Sequence, residues 1–502
     1  MRSHEVRVYP SKEKLPKENQ FAWKIAEVAA KNRSVDHDVT EMVGNRIIDN
    51  ASVAIAAINR PPVAAARSQA LAHPRQDGAS LYGLPADQTF ECEWATWANN
   101  VAVRELDFHD TFLAADYSHP GDNIPALVAV AQQKKCSAHD LLLGIVTAYE
   151  TQINLVKGIC LHEFKKDHIA HLAPAVAAGL GTMLKLSTDV IFQAINQSVH
   201  LAFSTRQSRK GEISSWKAYA PAWGAKLAIE AVDRAMRGEK GPAPIYEGED
   251  SVIAWMLGGP KKSYTIPFPE PGEPCRAILE SYTKEHSAEY QAQAIIDLAF
   301  KLNARKLDLS QVRDVSLRTS HHTHYVIGTG SGDPQKFDPD ASRETLDHSI
   351  MYILAVAWED GGWHHVKSYT SERAHRPSTI ALWKKIRTEE VEAWTKAYHD
   401  PNPSKKKFGG EVVVTMNDGT VIREEAQVAN AHPSGARPFG RKEYVGKFQT
   451  LTEGIVETTE AKRFLSLIEK FPNLSTNDLM TLHPTLPPGR LTSAARNQEG
   501  IF

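Results

Sequence analysis

Apolar positions recur at three- and four-residue spacing through most of the first half of the chain, which predicts helix rather than strand. The spacing is clear in Ile47, Ile48, Ala51, Val53, Ile55 and Ala56, and again in Leu141, Leu142, Ile145, Val146 and Tyr149. Ser187-Thr188-Asp189 precedes Val190, Ile191, Ala194, Ile195 and Val199, a capping sequence that runs into an amphipathic helix. Pro61-Pro62 and Pro120-Gly121 mark helix ends, and the small-residue run from Ala173 to Gly181 predicts a tightly packed, buried helix. Between Lys240 and Pro274 proline and glycine become frequent, and the segment reads as loops.

After one more helix near Ala292 to Leu302 the period changes. Val312 to Thr319 alternates apolar and polar residues, and Glu411 to Ile422 carries a hairpin signal with Asn417-Asp418-Gly419 at its turn. Between them the pattern predicts a helix over Ser349 to Ala357 and a charged helical stretch from Pro377 to Tyr398. Helical spacing returns from Arg441 to Lys470, with Phe464, Leu465, Leu467 and Ile468. The expected class is mostly α, with an α+β unit in the later half of the chain.

A chain of 502 residues exceeds what one core organises, so two or three domains are expected. Its 58 Lys+Arg against 60 Asp+Glu leave a formal charge of -2, unlike the strongly basic balance of a nucleic-acid or membrane-surface protein. The expected partner is a small anion met by a local cationic patch. No stretch approaches the roughly 20 apolar residues of a membrane span, and Met1 to Gln20 lacks an apolar signal core. Cys92, Cys136, Cys160 and Cys275 form no CxxC pair, which argues against a disulfide framework, an iron–sulfur cluster or a structural zinc. A reducing compartment, the cytoplasm, follows as the expectation.

Five polar clusters carry candidate chemistry. The densest holds Asp107, Thr111 and His119, with Asp107 and Thr111 on one face if the segment is helical. Lys165-Lys166-Asp167-His168 enters the buried helix, where the N-terminus favours anions, and His168 is the acid–base candidate. Arg206, Lys210 and Lys217 form a basic run between small-residue helices, suited to carboxylates. Lys284 and Tyr290 fall at the junction of the helical and mixed regions, where ligand sites concentrate. The fifth cluster holds His321, His322, His324 and Tyr325, with Asp347-His348 following; without thiolates or an HExxH arrangement it is a weak metal signal.

Together these clusters resemble the 2-methylcitrate dehydratase family (MmgE/PrpD), which also includes cis-aconitate decarboxylases. The resemblance is carried by LDFHDTFLAADYSHPGDNIP, DHIAHLAPAVAAGLG, SRKGEISSWKAYAPAWGAK, YTKEHSAEYQAQ and KFDPDASRETLDHSIMYILAVAWEDG, and later by HPSGARPF and YVGKF. It implies a helical domain built from residues 1–280 and 433–502, with an α+β lid inserted at 281–432. It implies a homodimer acting on a tricarboxylate, with no cofactor and no metal. The implied reaction is loss of water from 2-methylcitrate to 2-methyl-cis-aconitate in propionate breakdown; decarboxylation and a metal-dependent phosphohydrolase are the alternatives. Asp107, His119, His168, Lys217 and Lys284 are the implied catalytic set. Thr111, Arg206, Lys210, Tyr290, His324, Tyr325 and His348 are the implied substrate contacts.

Overall fold

A computed structural model describes residues 1–31, 34–209, 213–400, 402, 405–493 and 500–502. Helix dominates, and the periodic segments fold as their spacing predicts: His37–Ala57, Ala138–Gly158, Ile169–Met183, Thr188–Ala202 and Gln293–Ala304 are all helices. Ser187 caps Thr188–Ala202 by accepting from the Val190 amide, and Pro61 opens rather than ends the helix Pro61–Leu71. The helix Ile169–Met183 is buried along its whole length. It crosses Ala138–Gly158 where Gly144 faces Gly179, and a Cβ on Gly179 would lie 2.7 Å from the Gly144 carbonyl oxygen. Only glycine on both sides permits that approach.

The described apolar core falls into two clusters. The larger draws on residues from Val6 to Tyr290 and on tail residues such as Phe448, Phe464 and Ile468. The smaller runs from Ala288 to Met416 and packs around a four-stranded sheet. In that sheet Val312–Thr319 is central, parallel to Ile386–Glu390 and antiparallel to Gly410–Met416, which pairs in turn with Val421–Ala426. Val315 and Leu317 lie opposite Val414 and Val412, so the buried face keeps period two. A register shift between Val312 and Asp314 explains why two buried valines stand three residues apart. The hairpin turn falls at Gly419, whose φ of 89° needs glycine.

Two readings of the chain fail here. The stretch from Pro377 to Tyr398 is not one helix: Pro377–Trp383 and Glu392–Tyr398 flank the strand Ile386–Glu390. Only Ile386 and Thr388 of that strand are buried, too short a pattern to outweigh the surrounding charge. The stretch from Lys240 to Pro274 is not all loop either. Ser263–Phe268 pairs antiparallel with Arg2–Arg7, a partnership that 255 intervening residues hide from local pattern. Among the described residues no helix is long and apolar enough to cross a membrane.

Candidate active site

The helix Cys92–Glu105 ends at Leu106, and Asp107 then takes a left-handed conformation with φ 49°. Aspartate tolerates this region better than most residues, yet such a backbone still costs on the order of 1 kcal/mol. The expected helical pairing of Asp107 with Thr111 is therefore absent. Instead the turn drops the Asp107 carboxylate back onto Arg104, which contacts it directly. Lys284 Nζ lies 2.6 Å from Oδ1 and Lys217 Nζ 2.9 Å from Oδ2. One buried carboxylate thus gathers three cations from segments 177 residues apart. Their charge holds its proton affinity well below the usual carboxylate range, against the opposing effect of burial.

His119 sits 3.7 Å from Asp107 Oδ1 through Nε2. Its Nδ1 lies 2.9 Å from the Asp110 carbonyl oxygen. A carbonyl only accepts, so Nδ1 carries the proton and Nε2 presents a lone pair. Burial, with Arg104 and Lys284 nearby, keeps the ring neutral well below an ordinary imidazole. The Pro-Gly after His119 has a steric purpose. A Cβ on Gly121 would lie 2.8 Å from Asp110 Oδ1 and 2.9 Å from His109, and the Gly121 amide donates to that same Asp110 oxygen at 2.7 Å.

Both residues open on a cavity of about 790 Å³. Arg104, Lys165, Lys166, Arg206, Lys284 and Lys336 line it, against the carboxyl groups of Asp107, Glu289 and Asp333. The cavity is therefore cationic inside a chain of nearly zero net charge. Three more of its histidines are neutral: burial and neighbouring cations push His162 and His322 down to about 3, and His348 to about 4. Such rings exchange hydrogen bonds without adding charge.

Of the other expected residues, Thr111, Arg206, Tyr325 and His348 line the same cavity. Lys217 reaches it through Asp107 and Asp347, the latter at 3.4 Å. His168 stands one ring behind His119, with centroids 5.6 Å apart, and does not line the cavity. Its Nδ1 faces Asp167 at 3.1 Å and its Nε2 faces Asp122 at 3.6 Å.

Two of the expected contacts do not line the cavity. Tyr290 is a core residue, 3% exposed and packed on Tyr282 and Phe408, because the helix start buries its ring away from the cavity. His324 turns to the Thr388 hydroxyl at 2.6 Å and leaves the cavity wall to Tyr325. Lys210 lies outside the described residues.

The metal readings lose their ligands to other partners. His321 faces Glu390, His322 stacks on Tyr398, and His324 faces Thr388, so the three rings diverge. Asp347 is shared by Lys217 and Arg343, cations where a phosphohydrolase would need a metal. Among the described residues the group Glu285, His286 and Asp297 has its ligand atoms within 4.8 Å, but Arg437 already holds Glu285 and none of the three lines the cavity.

The sequence reading singled out neither Arg104 nor Lys336, and it placed Glu289 in the cluster from Lys284 to Tyr290 without giving it a role. Arg104 resembles an ordinary last-turn cation on a helix, and Lys336 and Glu289 reach the cavity only through the tertiary fold.

Comparison with known proteins places this geometry in context. The MmgE/PrpD N-terminal domain matches residues 19–265 and the MmgE/PrpD C-terminal domain matches residues 286–473. The chain is 26% identical over 341 residues to the mitochondrial 2-methylcitrate dehydratase of Yarrowia lipolytica, covering 64% of this chain and 62% of that protein. It is 26% identical to the 2-methylcitrate dehydratase of Cupriavidus necator, covering 69% of this chain and 72% of that protein. It is 25% identical to that of Salmonella typhimurium, covering 73% and 76%.

Proposed function

The chain belongs to the MmgE/PrpD family, and we propose that it is a hydro-lyase that removes water from 2-methylcitrate to give 2-methyl-cis-aconitate. One observation carries the reading: a neutral histidine with a bare Nε2 stands beside three cations gathered on one carboxylate, at the wall of a cationic cavity. Water elimination next to carboxylates needs those parts. A base must take a proton from the carbon adjacent to a carboxylate, and positive charge must meet the enediolate-like charge that grows there.

His119 Nε2 takes the carbon-bound proton, and Arg104, Lys217 and Lys284 stabilise the developing negative charge. Arg206, Lys165 and Lys166 bind the outlying carboxylates of the trianion, with Thr111, Tyr325 and His348 completing the wall. His168 acts through His119: with Asp122 and Asp167 it fixes the ring behind the base. Asp107 keeps the three cations aimed at one point. Nothing in these steps calls for a metal or a cofactor.

The reading extends to assembly. Residues 281–432 form an α+β lid over a helical domain made from residues 1–280 and 433–502, in a homodimer. Support for this division comes from the two apolar clusters. The four free cysteines suit a reducing compartment such as the cytoplasm.

The test is proton NMR of the products formed by purified enzyme from separate 2-methylcitrate isomers, from citrate and from cis-aconitate. A tetrasubstituted alkene from one 2-methylcitrate isomer is expected, seen as the methyl doublet of the substrate giving way to a singlet. Carbon dioxide from cis-aconitate with no alkene from either citrate would replace dehydration by decarboxylation.

A further inference from the structure

In 2-methylcitrate the departing proton and the methyl group belong to the same carbon. The tetrasubstituted alkene forms when His119 takes its proton from the methyl-bearing carbon, so the methyl lies one carbon–carbon bond, about 1.5 Å, from the reacting atom. A wall of cations and imidazoles is a poor seat for a methyl group, which gains by leaving water only against apolar surface. The base must therefore have an apolar neighbour.

The hairpin that leads into the base supplies one. Phe112–Leu113 pairs antiparallel with Tyr117–Ser118, Leu113 opposite Tyr117 and Phe112 opposite Ser118, and His119 follows directly. Successive side chains of a strand point to opposite faces. Thr111, Leu113, Tyr117 and His119 accordingly share one face and all line the catalytic cavity, whereas Phe112 and Ser118 do not. Leu113 stands opposite a residue two before the base, about 7 Å along the strand. Among the described lining residues the other aliphatic side chains, Ile213 and Val326, belong to segments outside the hairpin.

Behind the hairpin lies a second cavity of about 700 Å³, and Phe112, Leu279, Tyr282 and Phe408 make its wall mainly apolar. Lys157 and Glu280, which also line it, pair with each other at 2.7 Å. Among the described residues Leu113 alone lines both cavities. Its strand is fixed independently of its side chain. The Leu113 amide donates to the Tyr282 hydroxyl at 2.9 Å, and Thr111 and Tyr282 exchange backbone hydrogen bonds at 2.8 and 3.0 Å. The isobutyl group can therefore change size while the strand stays in register.

We infer that Leu113 is the specificity-determining residue for the alkyl branch of the substrate, an assignment that rests on the elimination reading above. Its side chain seats the methyl group and closes the way into the apolar cavity behind. It thereby sets the length of branch that the enzyme accepts.

The test measures kcat/KM for citrate, 2-methylcitrate and 2-butylcitrate, the two alkylcitrates in matched configuration, with wild type, Leu113→Ala and Leu113→Phe. Each enzyme is read as a ratio between substrates, which a loss of folded protein leaves unchanged. Leu113→Ala is expected to raise the ratio of 2-butylcitrate to 2-methylcitrate about tenfold or more, as the longer branch enters the second cavity. Leu113→Phe, which keeps the position filled, is expected to lower the ratio of 2-methylcitrate to citrate by about as much. Ratios within threefold of wild type in both variants would overturn the assignment and leave the elimination reading standing. Wild-type enzyme that forms no alkene from 2-methylcitrate would overturn the elimination reading and this assignment with it.

Discussion

Two buried ionic clusters lie side by side beneath the cavity, built from the same residue types and arranged to opposite ends. In the sealed one, Arg46 meets Asp110 at 3.4 Å and donates to the Ser281 carbonyl at 2.7 Å and to the Tyr444 hydroxyl at 2.8 Å. Lys447 there holds Asp49 at 2.7 Å and donates to the carbonyls of Phe108 and Lys284 at 2.6 and 2.8 Å. Backbone and hydroxyl oxygens take up donors of both cations. In the open one, three cations converge on Asp107 at the cavity edge. Saturated charges specify position, and crowded charges at a cavity remain available to an anion. The sealed cluster also grips the backbone on either side of the open one, since Phe108 follows Asp107 and the Lys284 carbonyl belongs to the open cluster's own lysine.

The contrast breaks most sharply at the base. His119→Ala should lower turnover about 1,000-fold or more with little change in melting temperature, as expected for removal of a general base; steady-state kinetics beside a thermal melt checks it. Lys447→Met should show the reverse. Leaving Asp49 buried without its cation costs about 3–5 kcal/mol, so the melting temperature should drop while the folded fraction keeps its KM. A Lys447→Met protein that melts normally but turns over slowly would erase the distinction between the clusters.

Smaller effects sharpen it. Lys284→Met leaves Asp107 with Arg104 and Lys217, so the fold should persist. Loss of one charge-assisted contact worth about 1.5–3 kcal/mol should lower kcat/KM roughly 10- to 150-fold. Acid should act on the open cluster through histidine. His119 and His348 are held below their ordinary 6.5 in the fold, so the unfolded chain binds their protons more readily. Stability should therefore decline as pH falls below about 6.5, while kcat/KM shows no imidazole limb at that pH; parallel urea melts and pH profiles would test this. Tyr325→Phe, at a cavity-wall ring that is 48% exposed, should change kcat by less than about threefold.

Much of the open cluster was legible in the sequence and little of the sealed one. Asp107, Thr111 and His119 stand within a short, dense polar run, Lys217 stands out as a charge among uncharged neighbours, and Lys284 heads a charged run with Glu285 and His286. Arg46 and Lys447 lie on ordinary helices about 400 residues apart and meet Asp110 and Asp49 only through packing. The same limit hid the strand Arg2–Arg7, whose partner is Ser263–Phe268. The packing of Tyr290 on Tyr282 and Phe408 was hidden for a related reason, since neither ring adjoins it in the chain. The hairpin Gly410–Met416 with Val421–Ala426 was readable because its turn chemistry is local.

The most direct test of the account follows the ultraviolet absorbance of the conjugated alkene as chelator-treated wild-type and His119→Ala enzymes meet the same 2-methylcitrate isomer. The account predicts a steady rise with wild type and almost none with folded His119→Ala. A comparable rise with both enzymes, or a wild-type activity abolished by the chelator, would contradict it.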